Sequence, residues 1–162
     1  MKLQFGPNGI LMIDDARITF RNFAGEATQY NRPGDRNFAL VIPDQEIVEA
    51  LQNDVNEDGA SWNVKIKPPR DVDDSPFMYM PVKVKFNQYG PKVYLVSNGV
   101  QREIDEESVG MLDKISIEKV DLDIRPFDNV TGGKPYRTAY LQTIRVYQRV
   151  DRYDRFADYG AE

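Results

Sequence analysis

Residues 113–127 read "DKISIEKVDLDIRPF". Apolar and polar residues alternate, the period of a strand with one buried face. The alternation changes phase midway: Ile115 and Ile117 fall on odd positions, Val120, Leu122 and Ile124 on even ones. A one-residue slip turns every following side chain to the opposite face, so the run predicts a bulge near Glu118–Lys119. A bulge bends its strand. One long bent strand among several short ones predicts a small closed barrel, with a β-sandwich as the plainer alternative.

The flanking sequence agrees. "MYMPVKVKF" (78–86) alternates Met78, Met80, Val82, Val84 and Phe86 with Tyr79, Pro81, Lys83 and Lys85. "WNVKIK" (62–67) alternates Trp62, Val64 and Ile66 with Asn63, Lys65 and Lys67, and "KVYLV" (92–96) follows a turn at "NQYGP". "ARITFRNF" (16–23) sets Ile18 and Phe20 on one face, and "DRNFALVI" (35–42) is a second apolar strand. "YRTAYLQTIRVYQ" (136–148) is the last strand, in which either Tyr140 or Leu141 faces inward. "PDQEIVEALQNDV" (43–55) predicts a short helix with Pro43 and acids in its first turn and an apolar stripe of Ile47, Val48 and Leu51. "DEESVGML" (105–112) predicts one or two helical turns.

The 162 residues favour one domain and carry a net charge of −5 with no cysteine and no histidine. Disulfides and thiolate metal sites are therefore excluded, and the commonest general base and metal ligand is missing. The sequence holds no apolar run of membrane-spanning length and no signal-peptide pattern, so a soluble cytoplasmic protein is expected. The negative total hides segregation. Residues 42–58 hold six acids and no base, while residues 125–149 hold Arg125, Lys134, Arg137, Arg145 and Arg149 against Asp128 alone. A phosphate responds to the local potential and not to the sum.

Three acidic motifs invite a metal. "DVNEDG" (54–59) has the ligand spacing of a calcium loop, but the twelfth position, where a bidentate Glu belongs, is Lys65. It reads as a solvated turn. "DVDD" (71–74) and "DLD" (121–123) offer carboxylates to a metal-dependent nuclease, without a basic helper at a known spacing or any histidine. No metal or other cofactor is expected.

The basic and aromatic outward faces carry more information. With the apolar positions inward, Lys65, Lys67, Tyr79, Lys83, Lys85, Lys92, Tyr94, Arg125 and Phe127 point outward, joined by Arg137 from the last strand. Cations follow phosphates and rings stack on bases of any sequence, which is what a single-strand binder requires. Lysines on alternate positions also mark ordinary solvent faces and protect strand edges.

The runs "ARITFRNFAG", "YNRPGDRNFALVI", "WNVKIKPPRD", "PKVYLV", "EESVGMLDKISIEKVDLDIRPF" and "GKPYRTAYLQTIRVYQ", spread over residues 10–147, resemble phage-encoded single-stranded DNA-binding proteins. The resemblance implies a mostly-β fold: a five-stranded OB-fold-like barrel with an N-terminal strand and helix extension and one or two short helices. It implies a nucleic-acid-binding domain over residues 1–150 and a flexible acidic, aromatic tail over 151–162. It implies sequence-tolerant binding of single-stranded DNA in phage replication or recombination, without enzymatic activity. The tail, through Tyr153, Phe156, Asp158 and Tyr159, would occupy the groove or contact replication proteins. In the tail Arg152 and Arg155 offset Asp151, Asp154, Asp158 and Glu162 to a net −2, weaker than such tails require for strong autoinhibition. The other readings are a phage structural protein with a β-barrel and a nuclease using Asp121 and Asp123. A homo-oligomer fits any of them.

Overall fold

The structure, a computed structural model, describes residues 1–150; the expected tail, with Tyr153, Phe156, Asp158 and Tyr159, lies outside the described residues. The strands are β1 (Lys2–Phe5), β2 (Leu11–Ala16), β3 (Ile18–Asn22), β4 (Arg36–Val41), β5 (Lys65–Lys67), β6 (Phe77–Val84), β7 (Lys92–Ser97), β8 (Val100–Ile104), β9 (Ile117–Thr131) and β10 (Lys134–Gln148). One helix, α1 (Gln45–Asn53), and short 3-10 turns at Pro7–Gly9 and Val109–Asp113 complete the described chain. No described helix is long and apolar enough to cross a membrane.

All ten strands join one sheet, with the path β1-β2-β9-β10-β6-β4-β3; β5 pairs with β6, and the β7–β8 hairpin pairs with β10. The sheet curls around a single core that includes Leu11, Phe38, Leu40, Met80, Val82, Val93, Leu95, Val120, Leu122, Ile124, Ile144 and Val146. Among the described residues no pairing joins β1 to β3, so the barrel-like sheet stays open there. The mostly-β, barrel-like expectation stands. The hairpin of β1 and β2 was not read from the sequence.

Two irregularities in the β9–β10 hairpin set its curvature. Tyr147 faces Lys119 and Gln148 faces Ile117, which leaves Glu118 bulged where the phase slip predicted it. A second shift between Leu141 and Thr143 bulges Gln142. It carries the buried set from Ala139 and Leu141 to Ile144 and Val146 and leaves Tyr140 on the outer face. Asp44 caps α1, its carboxylate accepting from the Ile47 amide at 2.9 Å, so Pro43 stands just before the cap and not inside the first turn. Val48 and Leu51 bury the apolar side of the helix.

Two expected facings differ. Phe20 was placed on one face with Ile18, yet Ile18 packs against the core while Phe20 lies outside and 56% exposed. Its backbone takes φ +50°, and the β3–β4 register shifts between Thr19 and Asn22, which rotates the ring to the other face. Ile66 was set inward. β5 begins only at Lys65 and all three of its residues are exposed, while Trp62 is buried ahead of it.

Candidate nucleic-acid interface

The outer row of β6 is Phe77, Tyr79, Pro81 and Lys83, because Met78, Met80, Val82 and Val84 turn into the core. Register brings other strands to this row. Lys65 and Lys67 of β5 face Tyr79 and Phe77. The Phe77 and Tyr79 rings stack at 5.3 Å, and Phe20 meets them edge-on at 6.0 and 5.6 Å. The Lys67 ammonium lies 5.4 Å from the Phe20 centroid and 5.8 Å from that of Tyr79. A groove of about 1210 Å³ runs past this cluster, with Tyr30 at its margin, 90% exposed.

Further along the same face, Lys83 is registered opposite Tyr140, and Tyr140 opposite Arg125. The Arg125 guanidinium lies 5.2 Å from the Tyr140 centroid, and Phe127 meets that ring edge-on at 6.2 Å. A cavity of about 530 Å³ here is lined by Lys83, Lys85, Phe86 and Tyr140 and shares Asn31 and Asn37 with the first groove. A third, of about 590 Å³, is lined by Lys85, Tyr89, Lys92 and Arg125. Tyr89, on the turn between β6 and β7, is 86% exposed. The three depressions share side chains and form one track across the outer face, with exposed tyrosines near both ends.

Of the residues singled out from the sequence, Lys65, Lys67, Tyr79, Lys83, Lys85, Lys92 and Arg125 line this track, with Phe127 against Tyr140. Tyr94 sits on β7 between Arg145 and Glu103, one row away. Arg137 turns inward and is 9% exposed. Its Nε and Nη2 donate to the two carboxylate oxygens of Asp128 at 2.6 and 3.0 Å, and Nη1 donates to the Asp54 carbonyl and carboxylate at 3.0 and 3.2 Å. Its plane lies 4.9 Å from the Trp62 centroid, and the Trp62 N–H donates to Asp54 at 2.8 Å. The hydrogen bonds from Arg137 hold the Asp128 carboxyl below its ordinary range, against the opposing effect of burial.

This clasp also accounts for "DVNEDG". Asp54 serves Trp62 and Arg137. The Asn56 amide donates to Asp128 at 3.0 Å while its oxygen accepts from the Asp58 and Ala60 amides. The segment is a turn held by these hydrogen bonds, and the one would-be ligand that Arg137 touches is Asp54. In "DLD", the Asp121 oxygens accept from the Asp15 amide at 3.0 Å and the Tyr147 hydroxyl at 3.3 Å. Asp123 is pushed up by burial and then by the charge of Asp14. Among the described residues no three His, Cys, Asp or Glu side chains gather as a metal site.

The sequence reading missed Phe20, Tyr30, Phe77, Tyr89 and Tyr140. Phe77 shares parity with Tyr79 and was legible on that ground. Arg137 likewise shares parity with Ala139 and Leu141, which points it inward.

A family model for the phage ssDNA-binding domain matches residues 3–160. Among solved structures, the chain is similar to the single-stranded DNA-binding protein of bacteriophage Enc34. A C-terminal truncation of that protein is 13% identical, with 92% of this chain and 91% of that one covered at a TM-score of 0.54. The same protein in complex with ssDNA is 12% identical, with 92% of each chain covered at a TM-score of 0.51. No curated protein matches the chain at a significant level. The solved structures share the fold, and with a family match running almost end to end, the chain belongs to the phage ssDNA-binding domain family.

Proposed function

We propose that this protein binds single-stranded DNA along the track between Tyr30 and Tyr89, with little sequence preference, and protects displaced strands during phage replication or recombination in the host cytoplasm. One observation carries the reading. Cations and rings recur along the track, with Phe20, Tyr79 and Lys67 at one end, Lys83, Tyr140 and Arg125 midway and Lys92 beyond, among a few acids such as Glu26 and Glu106. The lysines and arginine supply sequence-blind attraction to phosphate, and the rings supply stacking surfaces open to any base. Family membership and a neighbour solved with ssDNA support the same reading.

In this account residues 1–150 are the binding domain and the protein acts stoichiometrically, without catalysis. Arg137 supports the site from beneath, locking the β9–β10 hairpin to the segment that carries Trp62. Residues 151–162 serve as a tethered regulator or as a contact for replication proteins. Fluorescence-anisotropy titration of a labelled oligo-dT tests the reading. Affinity should fall with salt, each phosphate contact adding about −0.7 to the slope of log K against log salt. A duplex of the same length should bind more weakly. Equal affinity for the duplex, or no binding at low salt, would refute it.

A further inference from the structure

β6 and β10 meet at one register pair, Lys83 opposite Tyr140. Toward the start of β6 the facing edge is taken by β5, which pairs with Phe77–Tyr79. The two strands therefore part company, and a cleft of about 630 Å³ opens between them. Its floor is preset: Trp62 is buried, its N–H is committed to Asp54, and Arg137 covers its ring. Tyr136 of β10 and Lys83 of β6 line the cleft, and Tyr136 is exposed. Asn63 and Thr138 present side-chain donors and acceptors, and Pro81 adds an apolar wall without an N–H.

We propose that this cleft accepts one nucleobase turned out of the track and reads its edge. The proposal rests on the single-stranded DNA reading and goes beyond it. Lys83 lines both the track and the cleft, so a phosphate held there has its base within reach of either. Tyr136 offers an exposed ring to the π-face of that base. The Asn63 amide carries both a donor and an acceptor, the pair needed to meet a base edge, and the Thr138 hydroxyl can adapt to either partner. Binding that tolerates sequence elsewhere then acquires a base preference at one nucleotide per bound protein.

The experiment is an abasic scan. The shortest labelled oligo-dT that retains full affinity is prepared with a single abasic nucleotide at each position in turn. The parent should lose about tenfold in affinity at the position seated in the cleft. Asn63→Ala and Tyr136→Ala, both at exposed positions, should flatten that peak. Tyr79→Ala, whose ring lies on the track, should leave it in place. Affinities for oligo-dT, oligo-dA and oligo-dC should differ in the parent and converge in the two cleft variants. Melting curves establish that the variants are folded. A peak that survives in both cleft variants, or a loss equal at every position, overturns the cleft. A parent that fails to bind the intact oligo overturns the single-strand reading itself and is recognised before any variant is made.

Discussion

The ammonium of Lys67 sits 5.4 Å from the centre of the Phe20 ring, and the backbone under that ring is in the left-handed region at φ +50°. A bulky residue there carries on the order of 1–3 kcal/mol of strain. The ring recovers part of this against Phe77 and Tyr79, about 0.5–1.5 kcal/mol for each aromatic pair. Stability and ring display are thus in opposition at this position.

Phe20→Gly separates them. Glycine accepts the backbone angle without strain, so the variant should melt within a few degrees of the parent. Its affinity for oligo-dT should drop about tenfold, the size of one lost stacking surface. Thermal melts and anisotropy on the same preparation check both halves. A variant that binds like the parent removes Phe20 from the interface.

Arg137 gives a pH signature. Its hydrogen bonds depress the folded pKa of Asp128 below the unfolded value of about 3.9. The pair's contribution is therefore fully present above that value and is lost as pH falls through the lower, folded one. Arg137→Met should cost about 2–3 kcal/mol at pH 7, since Asp54 and Asp128 lose their shared partner. Urea unfolding at pH 7 and pH 3 should show the gap between parent and variant shrinking in acid. A constant gap would mean that lost packing on Trp62, and not charge, sets the cost.

Asp44→Ala removes the cap of α1 and should destabilise by about 1 kcal/mol. DNA affinity should not change, because the helix lines no part of the track. Denaturant midpoints and a binding curve together test whether the track is mechanically independent of α1.

Deleting residues 151–162 should raise affinity for oligo-dT modestly, and salt should shrink the gain. A tail of net −2 is a weak competitor that a short tether keeps at high effective concentration. Changing Tyr153, Phe156 and Tyr159 together to Ser, with every acid kept, should reproduce the deletion if the rings act as base surrogates. Unchanged DNA binding in that variant, with loss of polymerase or primase in a pull-down, would assign the rings to a partner instead. No change in either assay would leave the segment a solubilising terminus.

Alternation made β6, β7 and β9 readable, because each packs one face on the core and its side chains report that directly. The bulge at Glu118 was also legible, since two strict runs of opposite parity in one strand admit few other joins. Phe20 was not legible. Its facing depends on one backbone angle that the run "ITFRN" does not advertise. The track itself was half legible: the cations stood out, but Tyr140 depends on the second bulge, at Gln142, which the last strand's mixed pattern left ambiguous. Arg137 was counted among the binding cations on charge alone, while its parity with Ala139 and Leu141 described its actual surroundings.

The pairing of β2 with β9 has a consequence for how the chain is made. Ile13 finds its sheet neighbour in Leu122, roughly a hundred residues later. At ribosomal speed that separation is several seconds of synthesis, during which Leu11 and Ile13 have no core to enter. β6 and β4 can pair earlier, but the seam that β9 and β10 fill is empty until the last strands emerge. The two halves of the open sheet are therefore joined by its C-terminal hairpin, after most of the chain has been made. Substitutions that weaken β9 or β10 should reduce the yield of soluble protein more than their effect on equilibrium stability alone would suggest.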